Sequence, residues 1–199
     1  MDLENADWES YNRKLYQARQ QAIKELYESG GLSLLILMTS KVELPGELGS
    51  ALGQSGLVSE GEAEFLRSEL LFSESHRAQF ASSYVNGRVR VAGWNWAEDM
   101  LTNKAAEWSP AQRAEFLTAL PTTMRAWEWA EKFDAETEGK FWSGFYALGL
   151  SESDDCIHAA EKLIEHGRPH MAVDLLGLHI DRAGSQFSQE LIAKALAGC

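Results

Sequence analysis

The stretch Ala159-Ala160-Glu161-Lys162-Leu163-Ile164-Glu165-His166-Gly167-Arg168-Pro169-His170-Met171-Ala172-Val173-Asp174-Leu175-Leu176 decides the fold class. Ala159, Leu163 and Ile164 recur at helical spacing, and the stripe stops at Gly167. A second helical stripe, Met171, Ala172, Leu175 and Leu176, begins within a few residues. Glycine suits the stop because the residue after a helix often turns left-handed, which costs a residue with a side chain energy. The same pattern stands near the other end, where Ala22, Leu26, Tyr27, Glu28 and Gly30 precede Leu34-Leu35-Ile36-Leu37. Two antiparallel helices on a short turn leave apolar faces uncovered, so such units stack. The expected fold is all-α: short antiparallel helix pairs stacked as an α-α superhelix of the HEAT or TPR kind, or as an irregular helical bundle.

The rest of the chain agrees. The strongest strand candidate, Val89-Arg90-Val91, is too short to compel a strand. A first helix is expected from about Trp8 to Ser29, with Tyr11, Leu15, Ala18, Ala22 and Leu26 on one face. Gly30-Gly31 ends it, and a short segment to Ser40, apolar almost all round, is expected inside the structure. Pro45 suits the first turn of a helix, and Ser59 with Glu62 reads as a capping box for the next. A helix from Ser75 to Val85 is expected to break at Asn86-Gly87, and another to run from Trp94 to Leu101. Ser109-Pro110 with Gln112 is a strong helix start, Thr122 or Thr123 caps the next, and Asp134 starts a third. Ser151 to Asp155 opens the late pair, and Phe187 to Ala197 closes the chain. About ten helices of about 10–15 residues match repeat proteins better than long-helix bundles. The chain reads as one domain, 1–199, with its weakest seam at 86–93.

Composition narrows the function classes. Hydrophobic residues make up 45% of the 199 and charged residues 24%, as in a folded globular protein. Lys and Arg number 18 against 30 Asp and Glu, a net charge of -12. Such a surface repels duplex nucleic acid and anionic membranes unless its basic residues gather on one face. Leu32 to Met38 is too short to span a bilayer, and the start of the chain has no signal-peptide character. Cys156 and Cys199 make no disulfide framework, which places the chain in a reducing cytoplasm.

Ala126-Trp127-Glu128-Trp129, Phe141-Trp142, and Gly167-Arg168-Pro169 with Ala172 and Leu175-Leu176 resemble a helical region of large uncharacterised bacterial proteins. Ala18-Arg19 with Ala22, and Pro45 with Gly49, match its upstream part, so the likeness runs from about residue 15 to 196. The resemblance implies a helical-repeat scaffold excised from a longer polypeptide. It implies no catalytic residues, because its motifs are packing motifs.

Each chemical constellation has a plain structural reading beside it. Trp127 and Trp142 suit gaps between short helices. Residues two apart on a helix point about 200° apart, so in Trp127/Trp129 and Trp94/Trp96 one member of each pair should be exposed or meet a neighbouring layer. His166 and His170 have the spacing of a helical metal pair, but Gly167 and Pro169 interrupt them. His179, on the stripe with Ala172, Leu175, Leu176 and Ile180, reads as a core histidine. Leu48 to Ser59 has the cadence of a helix-turn-helix, yet Glu60, Glu62 and Glu64 follow where a reading helix needs cations and amides. Gly46, Gly49, Gly53 and Gly56 form neither a P-loop nor a dinucleotide fingerprint and read as close-packing positions. Arg168 is placed to bond the carbonyls of a preceding helix.

The expectation is a non-enzymatic scaffold that binds another protein or the remaining domains of a longer chain, with no cofactor, metal, nucleic acid or membrane. Its interaction surface is expected at Trp94, Trp96, Trp129, Leu191 and Leu196. The last helix is apolar over most of its circumference, through Leu191, Ile192, Ala193, Ala195, Leu196 and Ala197. It is therefore expected to self-associate or to form the cut edge of a longer array. Two alternatives remain: a small-ligand binder or enzyme with a pocket lined by Trp94, Trp96, Trp127 or Trp129, and a helix-turn-helix regulator that binds DNA.

Overall fold

The computed structural model describes residues 3–71, 76–146, 150, 153–183 and 187–199, the side chains of 3–7, 153 and 180–183 excepted. Ser75, Ser151 and the Ile180 side chain lie outside the described residues. Among them the chain is all-helical, with no strand. Eleven α-helices follow one another: α1 Leu3–Met38, α2 Pro45–Ser55, α3 Glu62–Glu69, α4 His76–Ala92, α5 Trp94–Asn103, α6 Pro110–Ala119, α7 Met124–Phe133, α8 Ala135–Gly144, α9 Ser153–Glu165, α10 Pro169–Ala183 and α11 Gln189–Ala197. They form two compact units, Met1–Trp108 and Ser109–Cys199.

In the first unit, α1 is two helical pieces joined at Gly31, whose φ of 62° interrupts the helical backbone without a loop. The segment after it corrects the expectation of an inside helix: Leu35 is buried, but Leu37 is 59% exposed. Only the Leu35 face finds packing partners; its other faces are left open or half-covered. Pro45 opens α2 as expected, and Gly56 ends it in the left-handed conformation.

The closest helix pair is α2 on α4, and its glycines explain it. A Cβ on Gly49 would collide with the carbonyl of Phe80, one on Gly53 with that of Tyr84, and one on Gly87 with that of Ser50. Backbone therefore lies on backbone along this seam. Gly87 explains a correction too. The helix does not break at Asn86-Gly87, because the missing side chain serves packing on α2 while α4 runs on to Ala92.

The expected cap at Ser59 is also corrected. Gly61, at φ 72°, is the N-cap of α3 with no side-chain cap bond. Glu62 is thus the first helical residue, and its carboxylate faces α4 and α5 instead of reaching back to a cap.

In the second unit the start signals act as read. Ser109 and Gln112 form a complete capping box for α6, Asp134 accepts from the Thr137 N–H at the start of α8, and Ser188 caps α11. Thr123 occupies the N-cap of α7, yet its hydroxyl is buried without a partner. At Gly167, φ 70°, the Arg168 N–H donates to the Leu163 carbonyl at 2.7 Å and the Gly167 N–H to Ile164 at 3.1 Å. These crossed bonds are a Schellman motif, and α10 packs back on α9 after it.

Candidate functional site

Three constellations stand out, two in the first unit and one in the second. The first is the surface of α1. Tyr11, Leu15, Ala18, Ala22 and Leu26 do share a face, but the face is not core: Tyr11, Ala18 and Ala22 are exposed, and Leu15 and Leu26 are half-buried. Trp8, 64% exposed, stacks on Tyr11 with ring centroids 5.9 Å apart. In the piece of this helix before Gly31 the buried residue, among the described side chains, is Ile23, while Gln20 donates to the Ala51 carbonyl of α2 at 3.2 Å. Ala22, Ile23 and Leu26 meet Val42, Leu44, Leu48 and Ala51 around an open apolar groove of about 190 Å³. Arg19 and Glu47 stand on its rim in an ion pair of 2.9 Å.

The second is a carboxylate knot. Glu62 accepts from the Tyr84 hydroxyl, from Arg88 Nε at 3.2 Å and from the Trp96 indole at 3.0 Å. It ties α3 to α4 and α5. Burial, reinforced by donation to Glu62, raises the Tyr84 phenol far above its ordinary pKa, so its proton is held into the alkaline range.

The third lies where α7, α8 and α9 meet. Trp127 and Trp142 are fully buried 5.7 Å apart, and both indole N–H groups lack a hydrogen-bond partner. His158 stacks on Trp127 at 5.4 Å and His166 on Trp142 at 6.3 Å. Between the imidazoles, Lys162 Nζ reaches Glu131 at 2.8 Å and Glu138 at 2.9 Å. The bond to Glu131 leads in raising the Lys162 pKa, and the bond from Lys162 leads in lowering that of Glu138. A lysine held protonated offers no nucleophile, and a carboxylate held ionised offers no general acid. The cluster is a satisfied ion-pair network joining helices.

Arg168 is satisfied as well: one guanidinium nitrogen donates to the carbonyls of Trp142 at 2.6 Å and Phe145 at 2.7 Å. The reading of a carbonyl-binding arginine holds, but the helix it closes is α8, and not α9, which leads into its own turn. His179 is buried, as a core histidine would be. Among the described residues no group of three His, Cys, Asp or Glu is arranged to hold a metal ion.

The residues expected to form an interaction surface fare unequally. Trp94 and Trp96 are half-buried in the first unit, and the Trp96 indole is committed to Glu62. Trp129 is half-buried in the second, beside Phe133 and Lys132. Leu191 is 6% exposed because α11 packs on α9 and α10, which corrects its assignment to an outward surface; Leu196 is 58% exposed. Of the four candidate pocket tryptophans, Trp127 lines a cavity of about 200 Å³ with Phe141, Phe145 and Tyr146. The α1 face was visible in the sequence as periodicity, but periodicity does not tell a face that meets its own core from one that meets a partner.

Comparison with protein-family models, with characterised proteins and with solved structures finds no match for this chain.

Proposed function

We propose that this chain is a non-enzymatic helical module that binds another protein. The observation that carries the reading is the concentration of large exposed apolar side chains on one helix and the loop after it: Trp8, Tyr11, Tyr16, Leu37 and Leu44. Scattered exposed apolar residues need no explanation, but the stacked Trp8 and Tyr11 head a helix face that runs by way of Leu15 and Ala22 to an apolar groove edged by Leu44, and such a patch marks an interaction site. The polar networks support the same reading, since Glu62, Lys162 and Arg168 spend their hydrogen bonds on holding helices together. The remaining domains of a longer polypeptide are one form the partner takes.

The aromatic cavity beside Trp127 favours a small-ligand binder as a second reading. Its volume falls below the roughly 300–1,000 Å³ usual for ligand sites. The DNA-binding alternative is weaker still, because Glu62 and Glu64 open α3 where phosphate would approach.

Site-specific photo-crosslinking tests the leading reading. A photoreactive residue at Ala22, in the groove, should give a discrete adduct with a protein in the cells that make this chain. The same residue at Thr102, an exposed position away from α1, should give none. Leu44→Glu should abolish the Ala22 adduct while leaving helix content unchanged. No adduct at Ala22, or equal adducts at both positions, overturns the reading.

A further inference from the structure

We infer that the α1 face is covered by a second copy of this chain, paired antiparallel about a two-fold axis; this rests on α1 being an interaction surface. One helix carries both halves of a complementary contact. Trp8 and Tyr11 project from one end. At the other end, Leu26 with Val42, Leu44 and Leu48 lines the apolar groove. In a two-fold pair each residue i meets residue j of the other copy, and j meets i. A projecting end and a receiving end on the same helix are therefore completed by the same helix turned around.

The sizes along the stripe agree. An antiparallel register that opposes Leu15 to Ala22 of the second copy also opposes Tyr11 to Leu26, and its axis falls between Ala18 and Arg19, so the two Ala18 positions lie next to each other beside it. Leu15 meets a small partner in Ala22, and the two alanines beside the axis let the helices close.

Charge selects the direction. Arg13, Lys14, Arg19 and Lys24 are the charged residues between Ser10 and Lys24, with no acid among them, while Glu25 and Glu28 follow directly. At 100° per residue, Lys14 and Glu25 flank the apolar stripe on the same side. Antiparallel pairing turns that side toward itself and sets Lys14 near Glu25 of the second copy at both ends. Parallel pairing would instead turn Lys14 toward the opposite flank of the second copy, where α1 has no acid between Ser10 and Lys24 to meet it. The Arg19–Glu47 pair on the rim is neutral and opposes neither direction.

Trp8 to Leu26 spans about 28 Å of helix, which gives an interface at the small end of stable ones. The dimer should accordingly dissociate on dilution, with a Kd on the order of micromolar. Sedimentation equilibrium on the full chain should show its mass rising from monomer to dimer across that range. Leu15→Glu, at a half-exposed position, should stay monomeric with unchanged circular dichroism. Lys14→Glu and Glu25→Lys should each weaken self-association about fivefold or more. Their mixture should form a heterodimer near wild-type affinity, because both of its contacts pair opposite charges. A wild-type chain that is monomeric throughout, a dimer that survives Leu15→Glu, or a mixture no tighter than its components overturns the inference. If that monomeric chain still gives a discrete adduct to another protein from Ala22, the interaction reading stands and only the second copy falls; without the adduct, both fall.

Discussion

The guanidinium of Arg168 closes the end of α8 by donating to the carbonyl oxygen of Trp142 at 2.6 Å. The same nitrogen reaches Phe145 at 2.7 Å, just past the last helical residue. Final-turn carbonyls have no intrahelical donor, and here the donor comes from the turn between α9 and α10. The Trp142 side chain beneath is fully buried. One residue thus connects a turn to the aromatic core of its unit.

Arg168→Ala should destabilise the second unit by about 2 kcal/mol, the usual scale for charge-assisted bonds lost with their acceptors left behind. Arg168→Lys should recover only part of this, since an ammonium lacks the guanidinium's planar donor set. Urea titration followed by tryptophan fluorescence reads both. An Arg168→Ala midpoint equal to wild type would show the two bonds to be without net value.

The α2–α4 seam predicts opposite signs for one substitution. Gly→Ala in a helix normally stabilises by about 0.5–1 kcal/mol. Gly139, in α8, has open space where a Cβ would stand, so Gly139→Ala should show that gain. Gly49→Ala and Gly53→Ala drive a methyl into the α4 backbone and should cost about 2–3 kcal/mol net, because overpacking outweighs the helix gain. Thermal melts of the three variants decide it, and equal signs would mean the seam opens without cost.

Much of this fold was legible because its signals are local. Ser109-Pro110 with Gln112, Asp134 and Gly167 each fix a helix end through the residue's own backbone or side-chain chemistry. The errors fall where distant contacts reassign a residue. Glu62 looked like a capping partner for Ser59, but Tyr84, Arg88 and Trp96 supply three donors from other helices. Gly87 looked like a breaker, but it is the point where α4 meets Ser50. Leu191 was misplaced because a helical wheel gives the face and not its neighbour, and the same limit left the exposure of the Tyr11 face unread. Of the candidate site, the stripe was visible and the groove was not, because the groove needs Val42, Leu44 and Leu48 brought beside Leu26.

Gly167→Val should cost about 1–2 kcal/mol. Its φ of 70° lies in the left-handed region and nothing lies within 4 Å of a Cβ there, so the cost is backbone strain alone. Gly167→Asn, which tolerates that conformation better, should cost less. Chemical denaturation of the pair tests this, and an equal loss for both would place the cause in packing.

Tyr84 makes an alkaline prediction. Burial first, and donation to Glu62 second, raise its folded pKa well above the ordinary value. The folded state therefore holds a proton that the unfolded chain releases above about pH 10. Stability from this group is complete below that pH and falls above it by about 1.4 kcal/mol per pH unit. Tyr84→Phe should be less stable at neutral pH, with Glu62 short of one donor, yet decline less steeply between pH values of about 10 and 11. Parallel slopes for the two proteins would contradict the assignment.

The acid side belongs to Asp134 and Glu138. The Thr137 N–H leads in lowering the Asp134 pKa, helped by the Thr137 hydroxyl and by Arg113 at 2.8 Å. Lys162 leads in lowering that of Glu138, with His166 adding to it. Both folded values lie below the unfolded ones, so their stabilisation is present above about pH 4 and is lost as pH falls through the folded values. Asp134→Asn should keep the N-cap, because an amide oxygen also accepts from the Thr137 N–H. It loses the pairing with Arg113, a partly exposed contact worth less than about 1 kcal/mol at neutral pH. Below about pH 4 the variant should lose stability less steeply than wild type, since it has no carboxylate there to protonate. Glu138→Gln should flatten the same limb while weakening the Lys162 network at neutral pH. Denaturant midpoints from about pH 2 to pH 7 measure both effects. An acid limb unchanged in both variants would show that other carboxylates govern acid unfolding.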